Sequence, residues 1–153
     1  MTQFTGTIDL IDDYASGHPN YLQALGPNGE TIPYCYQITG GSDGVGGITV
    51  SKANDGDSDL TLNSVADPNY HFQSVLFFSD AAKTVNIPSG PNEQFDYAII
   101  GTQFRSIVIH DRLRSKNGGV ADFYYTLIVV DTRSGKNNQQ IYCDPTIKNK
   151  QPF

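Results

Sequence analysis

The sequence has no tryptophan, one methionine, two cysteines and three histidines in 153 residues. Charged residues make up only 17% of it, against about 25% in an average domain. Apolar runs such as Leu127–Val130 are far shorter than the roughly 18 residues of a membrane span, which argues against a membrane partner. The N-terminus, MTQFTGTIDLIDDY, lacks both a basic stretch and a continuous apolar stretch, so no secretory leader is expected and the chain reads as cytoplasmic. No N-x-[ST] acceptor occurs anywhere. The two cysteines, Cys35 and Cys143, have no histidine near them and make no zinc motif. In a reducing compartment they are expected to be buried thiols. Two glutamates stand against fourteen aspartates, which favours turns over helices. Net charge is −6, and an acidic chain repels phosphate backbones, so nucleic acid is not an expected partner.

The chain is rich in aromatics instead, with nine tyrosines and eight phenylalanines. Together with its length this predicts one domain over residues 1–153, with enough apolar material for a core. The dominant pattern is alternation of period two. Phe4, Gly6, Ile8 and Leu10 alternate with polar residues, as do Leu60 with Leu62 and Ile107 with Ile109. Ile32, Tyr34, Tyr36 and Ile38 form another such set, and Ile48 with Val50 a short one. The segment ADFYYTLIVVD is β-branched or aromatic on both faces, as suits a strand deep in a sheet. Turn clusters separate these runs every 8–15 residues, and no stretch keeps a helical period over three turns. Residues 12–30 lack alternation and read as a long loop or one short helix. The expected fold is all-β: a two-sheet antiparallel β-sandwich of about eight or nine strands, with a barrel as the alternative.

Charge is unevenly distributed. Residues 1–76 hold nine acids and one base, Lys52, for a net −8, while residues 77–153 hold seven acids and nine bases, for a net +2. Such a bipolar chain could associate head to tail with itself, although folding often interleaves such halves. Pro33 cannot donate to a β-ladder, so its strand is expected to begin there or to lie at a sheet edge, where another chain could add.

Several groups offer chemistry on paper. Asp55, Asp57 and Asp59 place three carboxylates at alternate positions, the ligand type calcium prefers. An EF-hand loop would then need Gly at its sixth position and Glu at its twelfth, where Leu60 and Ala66 stand. Calcium is therefore the one metal to consider, and a solvated acidic loop is the preferred reading of the run. GGSDGVGG at Gly40–Gly47 could turn backbone N–H groups on an anion, but it lacks the Lys-Ser/Thr ending of a P-loop and reads as a hairpin loop. His110, followed by Asp111 and Arg112, could be drawn into a triad, yet no G-x-S-x-G elbow supplies the serine. Tyr14, Tyr21, Tyr34, Tyr36 and Tyr70 could form a carbohydrate platform; at strand spacing they equally fill a core.

The C-terminal stretch Tyr142-Cys143-Asp144-Pro145-Thr146-Ile147-Lys148-Asn149 is the most specific in the chain. Asp144-Pro145 ends a strand by turn chemistry, and Ile147 can return to the core. Taken with DFYYTLIVV, this ending resembles the C-terminal part of the small bacterial DP-EP family. More remotely, Asp-Pro-Thr-Ile resembles the close of the AidA/PixA inclusion-body proteins. The likeness covers Asp122 to Lys150, with less from Tyr70 to Asp111. It implies an immunoglobulin-like β-sandwich, with Cys143, Asp144, Pro145, Ile147 and Asn149 as a structural motif. It implies no catalytic residue and no cofactor. The sequence thus predicts a non-enzymatic β-sandwich protein acting by self-association or protein binding, with a carbohydrate- or calcium-linked module as the alternative.

Overall fold

A computed structural model describes residues 2–12, 19–47, 57–112, 121–143 and 149–151. These form β1 (Thr2–Ile11), β2 (Leu22–Leu25), β3 (Thr31–Gly41), β4 (Val45–Gly47), β5 (Ser58–Ser64), β6 (Tyr70–Phe78), β7 (Asn86–Ile87), β8 (Phe95–Ile100), β9 (Ser106–Asp111), β10 (Ala121–Asp131), β11 (Gln139–Cys143) and β12 (Asn149–Gln151). The fold is all-β, and the one helical turn among the described residues is a 3-10 turn at Thr102–Phe104.

The hydrogen-bonded path runs β7-β6-β10-β11-β2-β3-β1-β5-β9-β8, with β12 added to β10 and β4 to β3. It curls as a half-barrel around one apolar cluster that includes Ile8, Leu60, Leu62, Ile107, Ile109, Leu127 and Ile141. This corrects the sequence expectation in three respects. The strands number twelve among the described residues, more than eight or nine. The ladder is continuous where two separate sheets were expected. Finally, β1 runs parallel to β5, and β3 parallel to β4. Alternation identifies the face a residue takes, but it carries no information on the direction of the next strand. Phe4, Gly6 and Ile8 meet Leu60, Leu62 and Ser64 in parallel register, a pairing no local pattern encodes.

Two further readings change. Residues 12–30 contain a strand, β2, whose four residues are too few to show a period. β3 is bonded to β2 on one side and β1 on the other and is not an edge strand, but Pro33 lies near its start, ahead of the pairing with β1 that begins at Cys35. The sheet accommodates the missing donor by a slip in register: Gln23 faces Cys35, but Leu25 faces Thr31. In that slip the Gln23 carboxamide donates to the carbonyls on both sides of the proline, Ile32 at 2.6 Å and Tyr34 at 3.1 Å. Replacing Gln23 with Leu should therefore cost about 1–3 kcal/mol, read from the urea midpoint, because carbonyls lose their donor. A change below a few tenths would show that water replaces it. The strand Ile48–Val50 lies outside the described residues.

The first-half strands β2, β3, β1 and β5 sit together, with second-half strands β11 and β9 on either side. Most of the acidic half therefore lies as one block in the sheet, bordered on both sides by strands of the more basic half. At the ends of the path, β6 and β8 face each other through side chains. Phe77 and Phe95 stack at 4.7 Å between centroids, and Phe123 meets Phe95 edge-on at 5.3 Å. The close pair Gly6 and Gly40 joins β1 to β3; a Cβ on Gly40 would lie 2.5 Å from Gly6 Cα, and its φ of 86° favours glycine as well.

Candidate functional site

Three of the sequence candidates meet on the outer face of β5, β9 and β8. Register places Asp59, His110 and Asp96 in one row across the three strands. His110 Nδ1 is bonded to the Asp59 carboxylate, and Nε2 lies 3.4 Å from Asp57 Oδ2. Arg112 donates from Nη1 to the carbonyls of Gly90 at 2.9 Å and Glu93 at 2.7 Å, and its Nη2 lies 3.4 Å from Asp96. These residues rim an open hollow of about 230 Å³, with Ala98 and Val108 among its lining.

The arrangement limits what the hollow can do. A general base needs a free lone pair within reach of a substrate proton. Both His110 nitrogens face carboxylates instead. Among the described residues no serine, threonine or cysteine lines the hollow. Asp111 is buried on the opposite face from His110, as period two requires, so the two do not form a dyad. The calcium reading also changes. Asp55 lies outside the described residues. Asp57 and Asp59 project from one side of β5 onto the imidazole, which stands between them where a cation would have to sit. Among the described residues no group of three His, Cys, Asp or Glu side chains could hold a metal ion.

The Gly40–Gly47 loop satisfies its own donors. Val45 N and Gly47 N donate to Asp43 Oδ1 at 3.0 and 2.7 Å, and Ser42 N to Gly47 O at 2.9 Å. The chain's own carboxylate thus occupies the concavity an external anion would need. Tyr125 pins the loop to the core through a 2.7 Å bond to Gly46 O.

The tyrosine platform does not form. Tyr34, Tyr36 and Tyr70 are buried in the core. Tyr21 donates to Asp9 at 2.6 Å, a bond that, with burial, pushes its hydroxyl pKa up to about 12. Tyr14 lies outside the described residues. At strand spacing the rings point where every second residue points, into the barrel.

Two of these tyrosines belong to a polar lock that sequence reading missed. Asp131 is fully buried and accepts from Tyr34 Oη at 2.8 Å, from Arg133 N at 3.1 Å, and from Arg133 Nε and Nη2 at 3.0 and 2.8 Å. Arg133 Nη2 also donates to Tyr70 Oη at 2.9 Å and lies 2.9 Å from Asp12. Its guanidinium sits 5.0 Å over the Tyr70 ring. Burial alone would raise the Asp131 pKa; the Arg133 and Tyr34 hydrogen bonds outweigh it and hold the carboxyl below the ordinary range. Burial first, and the bond to Asp131 second, push Tyr34 up to about 12. Asp-Thr-Arg after a long strand is the one local signal, since an aspartate at a strand end accepts readily from the residue two on.

Cys35 and Cys143 are buried thiols. Of the C-terminal motif, Cys143 ends β11 and Asn149 pairs with Phe123 in β12; Asp144, Pro145 and Ile147 lie outside the described residues.

The remaining candidate is the terminal strand itself. β8 closes one end of the path and leads into a turn that exposes Ile100 and Phe104, beside exposed Val65. Gln103 and Phe104 both have left-handed backbones, with φ of 60° and 54°. Such a conformation costs roughly 1–2 kcal/mol per non-glycine residue. Phe104 is nonetheless 55% exposed, with its ring edge-on to His71 at 5.7 Å. Among the described residues no helix is long and apolar enough to cross a membrane. No protein-family model matches the chain, and no curated protein matches it.

Proposed function

We propose that the chain is a non-enzymatic recognition module that acts by associating with another protein chain along β8 and the turn after it. The observation that carries this reading is Phe104: a large apolar side chain, more than half exposed, held on two successive strained residues. Strain of that kind persists where something other than folding uses it. The closed bonding of the His110 row and of the Gly40–Gly47 loop supports recognition over catalysis. The likeness of Asp122–Lys150 to the DP-EP proteins is kept as part of this proposal on the sequence alone. Buried thiols at Cys35 and Cys143 fit a reducing compartment such as the cytoplasm.

Phe104→Asn tests it. Asparagine tolerates a left-handed backbone, so the melting temperature should hold or rise, while association falls. Sedimentation over a wide concentration range, with affinity capture by wild type and variant side by side, reads the outcome. A protein that is monomeric throughout and captures the same set with and without Phe104 would refute the proposal.

A further inference from the structure

We propose that the partner is a second copy of this chain, joined by antiparallel pairing of β8 with β8 about a two-fold axis at Ala98. The inference rests on the reading of β8 as an association edge. Arg112 N donates to Gln94 O at 2.8 Å, and Asp96 and Ala98 follow opposite His110 and Val108. Alternation then turns the main-chain groups of Phe95, Tyr97 and Ile99 away from β9. Gly90 N donates to Phe95 O at 2.9 Å, and the Asp96 carboxylate caps Tyr97 N at 2.8 Å. The carbonyl of Tyr97 and both groups of Ile99 remain to be paired. β8 carries no lysine, proline or bulge, the usual devices that block strand addition.

A two-fold pairing must set these outward residues against each other, and the sequence selects among the registers. Centred on Asp96, it would oppose two carboxylates. Centred on Tyr97, it needs the Phe95 carbonyl that Gly90 already uses. Centred on Ile99, it needs Gly101, whose φ of 83° has left the strand. Centred on Ala98, it sets Tyr97 against Ile99 of the other copy twice, with the Tyr97 N–H exchanging its carboxylate cap for a carbonyl. Ala98 then faces itself in a non-hydrogen-bonded pair about 4.5 Å apart, close enough to require a small side chain. Asp96 faces Ile100 and not another acid. Each copy carries a net charge of −6, so added salt should tighten the pair.

The test combines sedimentation with a disulfide trap. Under mild oxidation Ala98→Cys should give a cross-linked dimer, because the paired Cα atoms lie within disulfide range. Wild type and Thr61→Cys, on the same face in the interior strand β5, should not. Ala98→Lys sets like charges face to face and should weaken the dimer about tenfold or more with its circular dichroism unchanged. Ile99→Pro removes an outward N–H without touching the ladder to β9 and should do the same. A dimer that survives Ala98→Lys and yields no Ala98→Cys cross-link overturns the inference and leaves the association reading standing. A monomer at every concentration also overturns the inference, and the association reading then depends on Phe104-dependent capture of another protein.

Discussion

Arg133→Ala should be among the most destabilising substitutions outside the apolar core, at about 3 kcal/mol in urea unfolding. Removing one partner of a buried ion pair costs about 3–5 kcal/mol, because the other charge stays behind without compensation. The lower end applies because the Arg133 side chain is 25% exposed, so water can reach what it leaves. Asp131 would keep only Tyr34 as a side-chain donor, Tyr70 would lose the guanidinium, and Asp12 would keep Lys136 at 3.7 Å. A loss under about 1 kcal/mol would mean that water substitutes for the guanidinium. The same lock sets an acid limit. The folded Asp131 carboxyl titrates below its unfolded value. Its contribution is therefore complete above about pH 4 and is lost as pH falls through the lowered folded value. Asp131→Asn should flatten the fall in stability between about pH 4 and pH 2. Parallel curves for wild type and variant would show that the lock does not carry the acid dependence.

Phe95→Ala is the second large effect, expected at about 3–5 kcal/mol. Phe95 is fully buried where the ends of the curled sheet meet through side chains and through a main-chain bridge to Ser89, just beyond β7. It stacks on Phe77 from β6 and takes the edge of Phe123 from β10. An alanine there leaves a cavity between two strands that share no ladder and are linked through the single Ser89–Phe95 bridge after β7. Phe123→Ala should cost less, since that ring is only partly buried. Equal losses for the two would place the closure elsewhere. The urea m-value of Phe95→Ala should also fall if the ends separate in the native state.

The alternation of Ile8 with Leu10, Leu60 with Leu62, and Ile107 with Ile109 was enough to read strands and core, because burial follows period two. What alternation omits is the neighbour. The parallel β1–β5 pair and the register that sets His110 between Asp59 and Asp96 depend on contacts about fifty residues apart. Pro33 misled about the edge for a related reason: its missing N–H is local, but the compensation comes from Gln23 on another strand. The acidic loop was legible as carboxylates and illegible as a histidine clamp. The Asp131–Arg133 lock could be read only in part, since Tyr34 and Tyr70 come to it from β3 and β6.

The grouping of the early strands bears on how the molecule is made. On the ribosome, β1, β2, β3 and β5 emerge first, and they are neighbours in the sheet. The two strands that flank them come much later, β9 after residue 105 and β11 after residue 138. Until then both sides of the four-stranded piece present unpaired main chain. The ladders β5–β9, β6–β10 and β2–β11 that finish the sheet join distant parts of the chain, so folding should be slow and the nascent chain should be prone to aggregate. Truncation before β11 should yield inclusion bodies and not a smaller soluble domain, because β2 would be left without its outer neighbour.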